Sequence, residues 1–210
     1  MRAPVHLDDC EACTLGAAGV TAYRALFAIS PIDANSTVLV IGTGGVSLYA
    51  LLLARSAGAR VIVVSRSPEK LVRARALGAT DGVDATAVPD WGRAVRRLTR
   101  DAGADLVVEV GGAGTLGESI AAVRPGGTIA LVGTVAPIGA APNLVPVVMR
   151  EIRVQGLLVG PRADYEALFR RMEVHALRPV IDSTHALADF RVAFDRLASA
   201  AHFGKICLTL

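Results

Sequence analysis

Four consecutive apolar residues, Val38-Leu39-Val40-Ile41, run straight into Gly42-Thr43-Gly44-Gly45, and variations of this device recur along most of the chain. A run with no polar alternation predicts a strand buried on both faces, since a strand with one wet face alternates apolar and polar residues. Further runs of this kind are Arg60 to Val64, Asp105 to Val110, Gly127 to Val132 and Ile152 to Val159, with Gly82 to Asp84 as a short one. Helical patterns separate them. One runs from the glycine loop to Ala57 and is closed by Gly58. Another opens at Ser67-Pro68-Glu69, an N-cap followed by Pro at the first helical position, and stops at Leu77-Gly78. Asp90 is placed to cap a helix through Thr99, and Thr115 to Val123 and Asp164 to His175 are also helical. Strand and helix units recur roughly every 25 residues, which requires an α/β fold: a doubly wound parallel sheet with helices on both faces.

The two ends read differently. Cys13 to Phe27 is a helix rich in small residues, ended by Pro31 and the polar run Asp33 to Thr37. A loose segment holds Pro137, Pro142 and Pro146, and the tail carries Val180-Ile181, a helix from Ala188 to Ala200 and a final strand, Lys205 to Leu210. No internal repeat or low-complexity tract is present.

Composition narrows the function. With 52% hydrophobic and 20% charged residues, disorder is excluded. The longest strongly apolar stretch, Val46 to Ala54, is far short of the roughly 20 residues that cross a membrane. Met1 to Glu11 has no apolar leader, so no secretory signal is expected. The net charge of +3 is spread over scattered arginines; the densest run, Arg93 to Arg100, is the polar face of a helix. Nucleic-acid binding needs a clustered basic stripe with stacking aromatics, and aromatics are only 4% here. Cys10 and Cys13 have CxxC spacing, and Cys207 sits in the final strand. A zinc site needs a second ligand pair, which His6 does not supply, so the thiols read as structural or incidental and the compartment as reducing cytosol.

Gly42-Thr43-Gly44-Gly45-Val46-Ser47 follows the first buried strand and opens a helix, the context a dinucleotide phosphate loop requires. Gly42 permits the tight turn, Gly44 lets the backbone approach a pyrophosphate, and the helix start supplies free amides and a positive dipole end. The second strand ends in Ser65-Arg66-Ser67, with Lys70 one helical turn on and no carboxylate at the tip. A free ribose 2′-hydroxyl is gripped there by Asp or Glu about 20 residues after the loop, whereas a hydroxyl, a guanidinium and an ammonium suit a 2′-phosphate. The reading is NADP(H) over NAD(H); the alternatives for Arg66 are stacking on an adenine or pointing to solvent. The missing carboxylate also argues against a methyltransferase.

Taken together, these stretches resemble the cofactor-binding half of the medium-chain dehydrogenase/reductase family, the alcohol dehydrogenase and quinone oxidoreductase group. Leu15 to Leu26 resembles the inter-domain helix and Val38 to Ala54 the glycine loop. Ser65 to Leu71, Arg75 to Ala79, Glu109-Val110-Gly111-Gly112, Arg124-Pro125-Gly126-Gly127 and His202-Phe203-Gly204-Lys205-Ile206 complete the likeness. It implies a Rossmann fold in which Gly42, Thr43, Gly44, Gly45 and Val46 cradle the pyrophosphate and Ser65, Arg66 and Lys70 meet the adenosine phosphate. It further implies that Val110 and Gly111 flank the adenosine. Val132, Gly133, Leu158 and Val159 then line the nicotinamide side, with Thr21 and Lys205 near the pyrophosphate or nicotinamide. Zinc-dependent members carry a Cys ligand where this chain has Ala17, so a zinc-free type is expected.

The resemblance divides the chain into an inter-domain helix segment, 1–35, a dinucleotide-binding domain, 36–186, and a returning helix and strand, 187–210. It places a β-rich catalytic domain ahead of this half, so the chain is read as a truncated product or a retained half-enzyme whose final strand loses its usual sheet neighbours. Two functions follow. One is an oxidoreductase that moves a hydride between nicotinamide and a carbonyl, alcohol, quinone or activated alkene, with no side chain presenting itself as proton donor. Tyr23 and Thr21 lie near the cleft but suit packing better. The other is a non-catalytic nucleotide-binding module. Pairing through the strand 152–159 would give a homodimer.

Overall fold

The computed structural model describes residues 1–133 and 141–210; Pro137 lies outside the described residues. Its centre is a six-stranded, wholly parallel sheet built from β1 (Thr37–Ile41), β2 (Arg60–Ser65), β3 (Asp81–Asp84), β4 (Ala104–Glu109), β5 (Val123–Leu131) and β6 (Arg153–Gly156). The strand order is β3-β2-β1-β4-β5-β6, the doubly wound order that reverses direction between β1 and β4. The expected fold class is therefore borne out. The helices are α1 (Asp9–Cys13), α2 (Ala18–Tyr23), α3 (Gly45–Ser56), α4 (Pro68–Ala76), α5 (Trp91–Leu98), α6 (Leu116–Ala122), α7 (Val145–Met149), α8 (Arg162–Val174) and α9 (Phe190–Ala198). A separate parallel pair joins β7 (Ile181–Ala186) to β8 (Lys205–Thr209), and α9 packs on both strands.

β1 shows why the apolar runs are unbroken. Val38 and Val40 point into one core, with Leu48, Leu51, Leu168 and Met172 from α3 and α8. Leu39 and Ile41 point into the other, with Trp91, Val95 and Ile120 from α5 and α6. Both faces are dry, so the period-two alternation sorts residues between two cores and not between core and water.

Several expected boundaries shift for local reasons. The helix expected from Cys13 to Phe27 is broken: a 3-10 turn at Thr14–Gly16 precedes Ala17, which leaves helical geometry at φ −121°, and the segments on either side meet at 53°. The second segment continues from α2 as a π-helical stretch, Arg24–Ile29. Its residues Ala18 to Ala22 are buried in the core, and no single helix among the described residues is long and apolar enough to cross a membrane. Asp90 precedes α5 without capping it; the Gly92 amide donates to Glu118 Oε2 at 2.7 Å instead. Ser67 does cap α4, accepting from the Lys70 amide at 3.3 Å. The strand expected at Gly127 starts four residues earlier, at Val123, where β4 and β5 slip register between Ala104 and Leu106. The strand expected from Ile152 to Val159 yields only β6, the edge strand, and all four of its residues are exposed, Arg153 and Gln155 being polar. The final strand keeps a sheet neighbour, because β7, anticipated only as Val180-Ile181, pairs with it.

Replacing Leu39, fully buried between β2 and β4, with Ala is expected to cost about 2–5 kcal/mol of unfolding free energy in urea titration. Val72→Ala, at an exposed position on α4, should stay within about 0.5 kcal/mol of the parent.

Candidate functional site: the carboxyl rim of the sheet

Register places the expected residues in one row. Ile41 pairs with Val64, and Glu109 pairs with Leu131, so Gly42, Ser65, Val110 and Val132 are the next residues at the carboxyl ends of four adjacent strands. The order reversal between β1 and β4 opens a crevice there, because the connections leave in opposite directions. Gly42 adopts φ +77° and its amide donates to Val64 O at 2.7 Å, so the turn needs a residue without a Cβ. Ser47 Oγ reaches back to Ile41 O at 2.7 Å and locks the loop from beneath.

The loop is shaped to receive an anion. The amides of Gly45, Val46 and Ser47 precede the first hydrogen bond of α3, from Leu48 N to Gly44 O at 3.0 Å, and no side chain caps them. Nothing lies within 4 Å of where a Cβ on Gly44 would sit, so a ligand can approach its backbone closely. The amides of the first helical turn and the positive end of a twelve-residue helix meet at this point. The stem of Lys205 lies over Gly45, where an added Cβ would come 2.5 Å from Lys205 Cδ. Thr43 is buried.

Glu109 organises the neighbouring strand end. Its carboxylate is fully buried and accepts from the amides of Gly111 (2.7 Å) and Gly112 (3.1 Å), from Thr115 Oγ1 (2.5 Å) and from Ser119 Oγ. Four donors on one buried carboxylate fix Val110 and Gly111 at the rim. Gly133 then packs with its Cα against the Val110 carbonyl, so closely that any Cβ would overlap it, and both Val132 and Gly133 amides donate to Glu109 O. The signal for this role in the sequence is an acid that ends a buried strand just ahead of Gly111-Gly112.

At the β2 tip, Ser65 is buried and its Oγ accepts from the Ser67 amide at 3.2 Å. Arg66 is exposed and makes no hydrogen bond or ion pair among the described residues. Lys70 Nζ donates to Ala200 O at 2.6 Å, and burial lowers its pKa, with the cations Arg73, Arg196 and Arg66 adding to the effect against Asp182. Thr21 lies in the core, buried in α2. On the far side of the crevice Leu158 is strongly exposed, and Val159 holds φ +39°, a strained backbone for a β-branched residue.

The second sheet is tied to this rim. Gly204 bridges Gly44, its amide donating to Thr43 O at 3.0 Å. A cavity of about 270 Å³ lies alongside, lined by Gly45, His202 and Lys205 and by Phe194 and Leu197 of α9. His202 Nδ1 is buried with no partner among the described residues, and burial together with Lys70 lowers the imidazole pKa. Asp182 holds the segment in place, accepting from Arg196 Nη2 and from the Phe203 amide, each at 2.9 Å, while Arg73 stacks on the Phe203 ring. Asp182 carries no local signal in the sequence, because its partners Arg196 and Phe203 come from segments 14 and 21 residues away.

A doubly wound sheet with an uncapped glycine turn at its switch point is a dinucleotide-binding domain. Comparison with known proteins gives the family. Residues 45–173 match the family described as zinc-binding dehydrogenase, and the chain belongs to it. The chain is 36% identical over 216 residues to a zinc-type alcohol dehydrogenase-like protein of Schizosaccharomyces pombe, covering 100% of this chain and 62% of that protein. It is 30% identical over 210 residues to an NAD-dependent alcohol dehydrogenase of Saccharolobus solfataricus, covering 95% and 58%. A crystal structure of an NAD-dependent alcohol dehydrogenase superimposes with a TM-score of 0.94 at 31% identity, covering 100% of this chain and 61% of that one. The chain thus spans about three fifths of the length of these relatives. The match falls on the cofactor-binding half of the medium-chain dehydrogenase/reductases, a family of NAD(P)-dependent, alcohol dehydrogenase-like oxidoreductases, as the motifs implied. Among the described residues, no group of three or more His, Cys, Asp or Glu side chains is arranged to hold a metal ion.

Asp182 gives this site an acid limit. Burial raises its pKa, but the Arg196 guanidinium and the Phe203 amide outweigh that and hold it at about 2, below its ordinary 3.8. A depressed carboxyl stabilises the fold above its unfolded pKa, and the benefit fades as pH falls from about 4 toward 2. Asp182→Asn should therefore cost on the order of 2 kcal/mol at pH 7, and urea titrations at falling pH should show the gap between variant and parent closing below pH ~4.

Proposed function

We propose that this chain binds NADP(H) in preference to NAD(H) and serves an oxidoreductase acting on a carbonyl, alcohol, quinone or activated alkene. The observation that carries the reading is the pairing of an uncapped glycine turn with a carboxylate-free, cationic β2 tip. The bound nicotinamide would supply the hydride chemistry. The residues of the chain would do the holding. The Gly45, Val46 and Ser47 amides take the pyrophosphate, with Lys205 above the loop. Ser65, Arg66 and Lys70 take the 2′-phosphate. Lys70 can do so without leaving Ala200, since an ammonium has three donors and that contact uses one. Val110 and Gly111 wall the adenosine side, while Val132, Gly133, Leu158 and Val159 wall the nicotinamide side. Thr21, buried in α2, acts by packing behind the loop. No residue is assigned as proton donor.

We further propose that this half contributes no zinc ligand, which fits Ala17 at the position where zinc-dependent members carry Cys. Self-association through β6 fits its edge position and the exposed Val148, Met149 and Val154 beside it. Size-exclusion chromatography with light scattering is expected to give a dimer, and Val154→Lys should shift it to monomer.

Calorimetric titration is expected to show NADPH binding more tightly than NADH. Arg66→Ser should weaken NADPH by roughly 10- to 100-fold and leave NADH nearly unchanged, because a charge-assisted phosphate contact is worth about 1.5–3 kcal/mol. Tighter NADH binding would overturn the phosphate assignment, and binding of neither would overturn the function. Turnover with a carbonyl and quinone panel then tests the reaction class.

A further inference from the structure

The three cysteines of the chain meet at one backbone carbonyl, that of Cys10. Cys13 Sγ donates to Cys10 O at 3.2 Å, and Cys207 Sγ donates to the same oxygen at 3.3 Å. The first two lie on α1 and the third on β8, at opposite ends of the chain. All are free thiols: Cys13 is exposed, Cys10 half-buried and Cys207 buried. The surroundings are not those of a metal site. Thr14 Oγ1 and Tyr49 OH bond to each other at 2.6 Å, Glu11 pairs with Arg178 at 2.9 Å, and among the described residues no three His, Cys, Asp or Glu side chains gather to hold a metal ion.

We propose that Cys13 and Cys207 form a reversible dithiol–disulfide pair that responds to low-molecular-weight disulfides. The shared acceptor holds both sulfurs within 3.3 Å of one oxygen, and their unequal exposure assigns the roles. The Cys13 thiolate, accessible to solvent, attacks the small disulfide. One sulfur of that reagent leaves as a thiol, and the other stays on Cys13 as a mixed disulfide. The Cys207 thiol then gives its proton to solvent and attacks the Cys13 sulfur, and the second small thiol departs. Two electrons from the two protein thiols thereby reduce one disulfide to two thiols. Burial, with the Cys13 and Cys10 thiols adding, pushes the Cys207 thiol up to about 12, so Cys207 stays protonated and does not start the reaction, and its attack on the mixed disulfide quickens as pH rises. Cys10, half-buried, takes no part in the exchange.

The bond would matter to the rim. β8 carries Lys205, which lies over Gly45, two residues before Cys207. Cross-linking β8 to α1 closes a loop of almost the whole chain and fixes the strand that covers the glycine turn.

The test incubates the full chain with excess glutathione disulfide, blocks remaining thiols and maps peptides without reduction. Cleavage after Glu11 separates Cys10 from Cys13. Expected are a Cys13–Cys207 linked peptide, loss of two of three titratable thiols, reversal by dithiothreitol, and a melting temperature higher by about 5–10 °C than that of the reduced protein. Cys10→Ser should retain the link. Cys13→Ser, at an exposed position, should abolish it even if Cys207→Ser fails to fold. A Cys10–Cys13 link, a glutathione adduct that never closes, a link only between chains, or three thiols still titrating would each overturn the proposal.

Discussion

The two-sided burial of β1 is the constraint on which the rest of the molecule depends. Val38 and Val40 commit one face to α3 and α8, and Leu39 and Ile41 commit the other to α5 and α6. A strand so enclosed cannot slip by one residue without exchanging its two cores, so its register against β2 and β4 is fixed. Fixed register in a parallel sheet means that all carboxyl ends fall on one edge. The glycine turn, the serine and arginine of the β2 tip and the Val110 and Val132 walls are therefore brought together by core packing, before any polar contact among them is considered.

Polar groups then hold the rim at close range. Glu109 ties the end of β4 through four donors, and the backbone of Gly133 fits against the Val110 carbonyl with no space for a side chain. Asp182 does the equivalent for the second sheet, bringing Phe203 and Gly204 to the loop so that Lys205 covers Gly45. Both carboxylates are buried and fully partnered, the condition under which a buried charge specifies one arrangement without a large penalty.

Much of this was legible because it is local. The N-cap Ser67 followed by Pro68, the stops at Gly58 and Gly78, and the turn at Gly42 each depend on backbone preferences of one or two residues. Legibility failed where a partner from elsewhere outcompeted the local signal. Asp90 has a capping side chain, yet Glu118 from α6 takes the Gly92 amide. The helix of small residues breaks at Ala17, where α2 turns to lie against α3. The segment after Ile152 becomes an edge strand of four exposed residues, in which the polar Arg153 and Gln155 flank Val154, so the apolar reading of 152–159 does not hold there.

The sequence by itself determined the parallel doubly wound sheet, the glycine turn at its first strand end and the cationic character of the β2 tip. These follow from the periodicity of apolar residues and from residue chemistry at fixed offsets, which need no knowledge of distant contacts. Only the tertiary structure decided that Lys70 rests on Ala200, that Asp182 anchors the final strand to the glycine loop, and that the thiols of Cys13 and Cys207, at opposite ends of the chain, share the Cys10 carbonyl. Each of these joins segments more than a dozen residues apart. Such pairings are set by how two cores pack around one sheet, and no pattern along the chain records them.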